Sequence, residues 1–255
     1  MDRNSSLLDA ALGLDYRSEQ SATAGAQLIL IEDCVETSGT FVIHHMVKRL
    51  LCSRIHSGSI IFVALSYSFS HYDRILRKLG CNLTAHRDNR RFFFIDMLMM
   101  ECPGVDKGNA ADGRLMELYG KIQSAMEAVS SDHLRNCVII IDDLSLLEVA
   151  TNGASNDVLN FLHYCHTLPA ELDCRLVVLN HEDIYAELGS PLLLQIEYLT
   201  DILIKAEPLA TGLAADVHGQ LTVINRKGQG LMNGSARNFH FKLKENGIEC
   251  FFPGT

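Results

Sequence analysis

The stretch LILIEDCVETSGTFVIHHMVKRLL, Leu28–Leu51, reads as a buried strand, a tight loop and an amphipathic helix. The strand runs over Gln27–Ile31 and is apolar after its first residue, as a parallel strand covered on both faces should be. In the helix, Val42, Met46 and Leu50 recur at four-residue spacing, as do Ile43, Val47 and Leu51. One broad face is therefore buried, and His44, His45, Lys48 and Arg49 are expected mainly on the solvated side. Adjacent residues on a helix do not face one another, so His44 and His45 are not expected to share a metal. Strand, loop and helix in this order are the layout of a phosphate-binding loop. There the pattern Gly, four residues, Gly, Lys, Ser or Thr wraps backbone N–H groups round phosphates, brings a lysine to them and gives magnesium a hydroxyl. The pattern falls here on Cys34, Val35, Glu36, Thr37, Ser38, Gly39, Thr40 and Phe41. Only the second glycine survives: Cys34 replaces the first, Thr40 the lysine and Phe41 the hydroxyl. Glu32, Asp33 and Glu36 add negative charge where phosphates would sit, which a helix N-terminus only partly offsets. The layout is that of a nucleotide hydrolase, without the chemistry for autonomous hydrolysis.

Outward from this unit, strands and helices alternate. Ser59–Leu65 is a second apolar strand, and Ser70-x-x-Asp73 resembles a capping box opening a helix that Gly80 closes. Arg91–Met97 is the next strand, entered through the basic cluster Arg87, Arg90 and Arg91. A glycine-containing loop follows, then a long helix through Leu115, Leu118, Ile122, Met126 and Val129. Cys137–Asp143, CVIIIDD, is a central strand ending in Asp142, the place where a nucleoside triphosphatase holds magnesium at a strand's C-terminal edge. Leu144–Asn156 reads as a loop, followed by a helix carrying Val158, Leu159, Leu162 and Cys165. Arg175–Leu179 and Asp201–Ala206 are further apolar strands. Beyond Pro208 the pattern turns to short strands, Gly219–Asn225, Asn238–Lys244 and Ile248–Phe252, with Asn246-Gly247 as a hairpin turn. The predicted fold is α/β: a RecA-like core whose mostly parallel central sheet is flanked by helices and finished by an antiparallel C-terminal edge. Residues 1–24 are expected to be a flexible N-terminal arm with a short amphipathic helix in Ser5–Leu14, and 25–255 a single RecA-like domain.

Composition bounds the function. The chain has 255 residues, 47% hydrophobic and 21% charged, as in an ordinary soluble domain. No apolar run approaches the roughly 20 residues that span a bilayer, and no basic segment leads into a long apolar one, so an intracellular protein is expected. A net charge of −9 argues against nucleic-acid binding by the whole surface, which needs clustered Lys and Arg. The eight cysteines include no CxxC pair and read as reduced core thiols; no metal site is expected.

Three stretches, LILIEDCVETSGTFVIHHMVKRLL, CVIIIDDLSLLEVA and LTDILIKAEPLATGLAADVHGQLTV, together with the missing phosphate-loop lysine, resemble the family of the sixth subunit of the eukaryotic Elongator complex. The resemblance covers about Leu28 to Phe252. It implies a non-catalytic subunit that assembles with Elongator subunits 4 and 5 into a hetero-hexameric RecA-like ring. It also implies that the ring binds tRNA for wobble-uridine modification by the catalytic subcomplex, in the cytoplasm and nucleus. In such rings the loops after the Asp-ending strand and the next strand face the central hole, here Leu144–Asn156 and His181–Pro191. Both are poor in Lys and Arg, so partners are expected to supply most phosphate affinity. A second reading is an ATPase in which Thr37, Ser38 and Gly39 still cradle phosphates, with Thr40 a vestigial position beside them, and Asp142 holds magnesium, a neighbour supplying lysine or arginine to ATP lodged at ring interfaces. A third is a recombinase paralogue acting in DNA repair.

Overall fold

A computed structural model of the chain describes residues 5–12, 14, 28–53, 58–98, 110–130, 136–172, 174–185, 191–209, 212, 216–226 and 235–254. They form one nine-stranded sheet with helices on both faces. Strand β1 (Leu28–Asp33) lies between β5 (Arg175–His181) and β6 (Ile202–Glu207), parallel to both. The parallel half continues through β4 (Val138–Ile141), β2 (Ile60–Ala64) and β3 (Phe92–Asp96). On the other side of β6, β7 (Gly219–Asn225), β8 (Ser235–Lys244) and β9 (Gly247–Phe251) follow antiparallel. The α/β class and the antiparallel C-terminal edge are those the sequence predicts.

Side chains alternate across the central strands because successive residues of a strand point to opposite faces. Ile29 and Ile31 join the core under α1 (Ser5–Ala11), α2 (Thr40–Cys52), α3 (Phe69–Lys78) and α4 (Leu83–Asp88). Leu28 and Leu30 join the other core, with α5 (Ala110–Glu127), α6 (Leu144–Ala150), α7 (Ser155–Leu172) and α8 (Pro191–Leu199). All six β1 residues are buried; the first four, Leu28–Ile31, are apolar, which is why this strand reads in the sequence as an apolar run.

Several local expectations are corrected. Part of the arm expected to be flexible is packed: Leu8 and Leu12 are fully buried, and the Asp9 carboxylate pairs with His45 Nε2 and Arg49 at 2.8 Å each. His45 therefore lies under α1, not on a solvated face, and His44 is half-buried with its ring against Tyr72; lost hydration, then the nearby His71, drops its pKa to about 4. Leu144–Asn156 is not a loop throughout, because Asp143 caps a helix there, its carboxylate accepting the Leu146 N–H at 2.9 Å. Ser70 does not cap α3; Ser68 holds that position and Asp73 pairs with Arg77 one turn on. Residues 15–27, 99–109 and 186–190, which carry much of the rest of the arm, the loop before α5 and part of the second loop expected to face a ring's central hole, lie outside the described residues.

Candidate functional site at the C-terminal edge of the parallel strands

The β1–α2 connection is short. Cys34–Thr37 closes as a tight turn, with the Thr37 N–H donating to the Cys34 carbonyl at 3.0 Å, and the Val35 N–H donates to Asp183 at 2.8 Å. Gly39 then precedes α2. Strand β1 extends two residues beyond the apolar run, so Glu32 and Asp33 belong to the strand and are buried. Asp33 Oδ2 accepts the Gly39 N–H at 2.6 Å. The anion-binding end of the helix is thus met by the chain's own carboxylate. Gly39 has ordinary helical dihedrals (φ −85°), so its glycine reflects crowding: a Cβ would stand 2.9 Å from Ile31 Cγ2 and 3.2 Å from Asp33 Cβ.

The other sequence-predicted positions take structural partners. Thr37 is buried, whereas the Ser38 and Thr40 hydroxyls face solvent and bond to each other at 2.9 Å. Phe41 packs its ring 4.5 Å from that of Phe241 on β8, anchoring α2 to the antiparallel extension. Asp142 follows β4 and is buried; Oδ1 accepts the Leu65 N–H at 2.7 Å, and Oδ2 accepts the Ser66 N–H at 3.2 Å and the Tyr72 hydroxyl at 2.5 Å. Burial raises its pKa to about 6 against the opposing effect of these donors. The carboxylate fastens the β2–α3 turn to β4, while Ser38 and Thr40 bond to each other.

What converges instead is Asp33, His181 and Asp143. The β1–β5 register sets Asp33 beside His181, and His181 Nδ1 lies 2.5 Å from Asp33 Oδ1 while Nε2 lies 3.2 Å from Asp143 Oδ2. The hydrogen bonds to Asp143 and Asp33 lift the His181 pKa to about 10, outweighing burial, so an imidazolium bridges two carboxylates at neutral pH. Ser66 Oγ also donates to Asp143, at 3.2 Å. Next to this bridge, Lys205 on β6 is the register partner of Glu32 and pairs with it at 2.7 Å. Burial pushes Glu32 up to about 7, with Lys205 opposing. Around Asp33 and His181 opens a cleft of about 390 Å³ lined also by Cys34, Val35, Ser38, Asp183 and Ile184. Its rim carries two exposed apolar side chains, Val35 at 89% and Ile184 at 57% exposure, beside the exposed polar Ser38 and Asp183.

This network was not read from the sequence, although a signal existed: three apolar runs end in Asp33, Asp143 and His181, titratable residues at one edge of a parallel sheet. A phosphate brought to this helix end would meet Asp33 at the Gly39 N–H and find no lysine in the loop. Of the basic cluster, Arg91 donates to the Gly58 carbonyl, Arg87 stacks 4.5 Å over Phe69, and Arg90 is exposed. Arg226 pairs with Glu197, while Lys227 lies outside the described residues. Among the described residues no helix is long and apolar enough to cross a membrane.

The chain is similar to known proteins along most of its length. The profile of the family described as Elongation complex protein 6 matches residues 8–245. Elongator complex protein 6 of Homo sapiens is 31% identical over 237 residues, spanning 86% of this chain and 88% of the relative. The Danio rerio protein of the same name is 28% identical over 245 residues, spanning 89% and 90%. Among solved structures, a KaiC-like protein from Pyrococcus horikoshii OT3 superposes with a TM-score of 0.58 at 12% identity, covering 88% of this chain and 89% of that one. That likeness shows a shared RecA-like fold and nothing about activity.

Proposed function

The chain belongs to the Elongation complex protein 6 family, and from that premise we propose that it is a non-catalytic structural subunit of Elongator. In this reading it joins subunits 4 and 5 in a hetero-hexameric ring that binds tRNA and supports wobble-uridine modification by the catalytic subcomplex, in cytoplasm and nucleus. The observation that carries the reading is the occupied helix end. Asp33 takes the Gly39 N–H, His181 ties Asp33 to Asp143, and Asp142 is consumed by Leu65, Ser66 and Tyr72. Phosphoryl transfer depends on positioned positive charge and a metal clamp, and this edge offers carboxylates at both places. The residues present do not fit a nucleotide's phosphates, and no catalytic step is assigned to them.

The same edge suits a neighbouring subunit. Exposed Val35 and Ile184 flank the cleft, and contiguous exposed apolar groups mark interaction surfaces. Affinity for tRNA would come mainly from partner subunits, since the chain carries a net charge of −9 and phosphate affinity follows Lys and Arg.

Reconstitution with subunits 4 and 5 tests this reading. The expected outcome is tRNA binding by the complete ring and none by the isolated chain, with Asp142→Ala leaving any ATP turnover of the ring unchanged. Turnover by the chain alone that disappears in Asp142→Ala would favour the ATPase reading.

A further inference from the structure

Away from that edge, two cysteines and a histidine meet at the end of the α2–α3–α4 layer. Helix α2 ends at Cys52, with Lys48 one turn earlier on the same face. Helix α3 ends in a Schellman turn: Gly80 has φ +86°, its N–H donates to the Arg77 carbonyl at 3.0 Å, and the Cys81 N–H donates to the Leu76 carbonyl at 2.8 Å. The turn carries Cys81 inward to full burial. Asn82 then caps α4, accepting the Ala85 N–H at 3.2 Å, and the helix presents His86. Three backbone signals thereby deliver two sulfurs and an imidazole nitrogen to one spot, all within 4.8 Å of one another.

We propose that Cys52, Cys81 and His86 bind a soft divalent cation, zinc, through two thiolates and one imidazole, with water in the fourth position. The ligand types are those that select zinc over hard cations. Tetrahedral bonds of ~2.3 Å to sulfur and ~2.0 Å to nitrogen need ligand atoms roughly 3.5–3.8 Å apart, about 1 Å inside the observed limit. Rotation of the exposed Cys52 side chain supplies that movement. Two thiolates neutralise the cation, so a partly buried site costs little in charge. Zinc is bound by the thiolate forms, so binding releases the protons the thiols carry. His86 Nδ1 is buried and has no hydrogen-bond partner among the described residues. The open position faces solvent, since Cys52 lies at the surface.

The test uses the full chain, purified under reducing conditions, freed of metal with a chelator, and titrated with Zn²⁺ or Co²⁺ alone. Expected are about one zinc per chain, a thiolate-to-cobalt charge-transfer band, and a higher Tm with zinc. Cys52→Ser and His86→Gln, both at the helical surface, should each weaken zinc binding more than about tenfold while the metal-free chains stay folded by circular dichroism. Cys34→Ser should bind as the parent does. Absence of the cobalt band, or zinc affinity unchanged in Cys52→Ser, overturns the proposal. So does recovery of a metal-free Cys52–Cys81 disulfide as the native form.

Discussion

Replacing His181 by Gln keeps a hydrogen-bond donor between Asp33 and Asp143 but removes the charge, and the cost follows from the titration. The imidazole moves from 6.5 to about 10 on folding, which at about 1.4 kcal/mol per unit is worth ~5 kcal/mol. The His181 side chain is 32% exposed, and screening at such a site lowers the expected contribution to about 2 kcal/mol. Because the folded pKa is the higher one, this stabilisation is complete below pH 6.5 and disappears as the pH rises through about 10. Urea unfolding of parent and His181→Gln, measured in parallel from pH 6 to pH 10, isolates it, since other groups titrate in both chains. The difference should be about 2 kcal/mol near pH 6 and fall toward zero at the alkaline end. A difference that does not change across this window refutes an imidazolium bridge, whatever its size.

Further outcomes follow from the same structure. Tyr72→Phe removes the donor to a buried carboxylate and should cost about 1.5–3 kcal/mol; the Asp142 titration, near 6 in the parent, should move upward by carboxyl NMR. Gly39→Ala places a methyl 2.9 Å from Ile31 Cγ2 and should destabilise by about 1–3 kcal/mol, read as a lower urea midpoint with unchanged slope. Asp9→Ala strips the buried partner of His45 and Arg49; a loss of about 1–3 kcal/mol, with faster hydrogen exchange in α1, is expected.

The sheet and the β1–α2 unit were legible because strands buried on both faces spell unbroken apolar runs, and α2 carries its stripe at helical spacing. Asp33 was misplaced because a charged residue after LILI reads as loop, whereas parallel strands extend until the backbone stops pairing; here the pairing runs through Asp33 to His181. The helix Leu144–Ala150 was hidden by its brevity, and its cap, Asp143, resembled the end of a strand. His45 looked solvated because the helix covering it lies far upstream in sequence. The ion bridge and the Cys52, Cys81 and His86 cluster are non-local: sheet order and a helix-ending turn assemble them, and neither leaves a short motif. Gly39 was legible as a glycine and not as to cause. Its reason is the crowding of Ile31 and Asp33, which no pattern of phosphate-loop positions reveals.

The central claim is assembly, and the most direct measurement is mild affinity purification of the tagged chain from its own cells, with quantitative mass spectrometry and native mass determination of what remains bound. The account predicts Elongator subunits 4 and 5 in near-equal amounts, with the rest of the complex recovered at gentler salt. Recovery of the chain alone, or with recombination proteins in place of Elongator subunits, would contradict it.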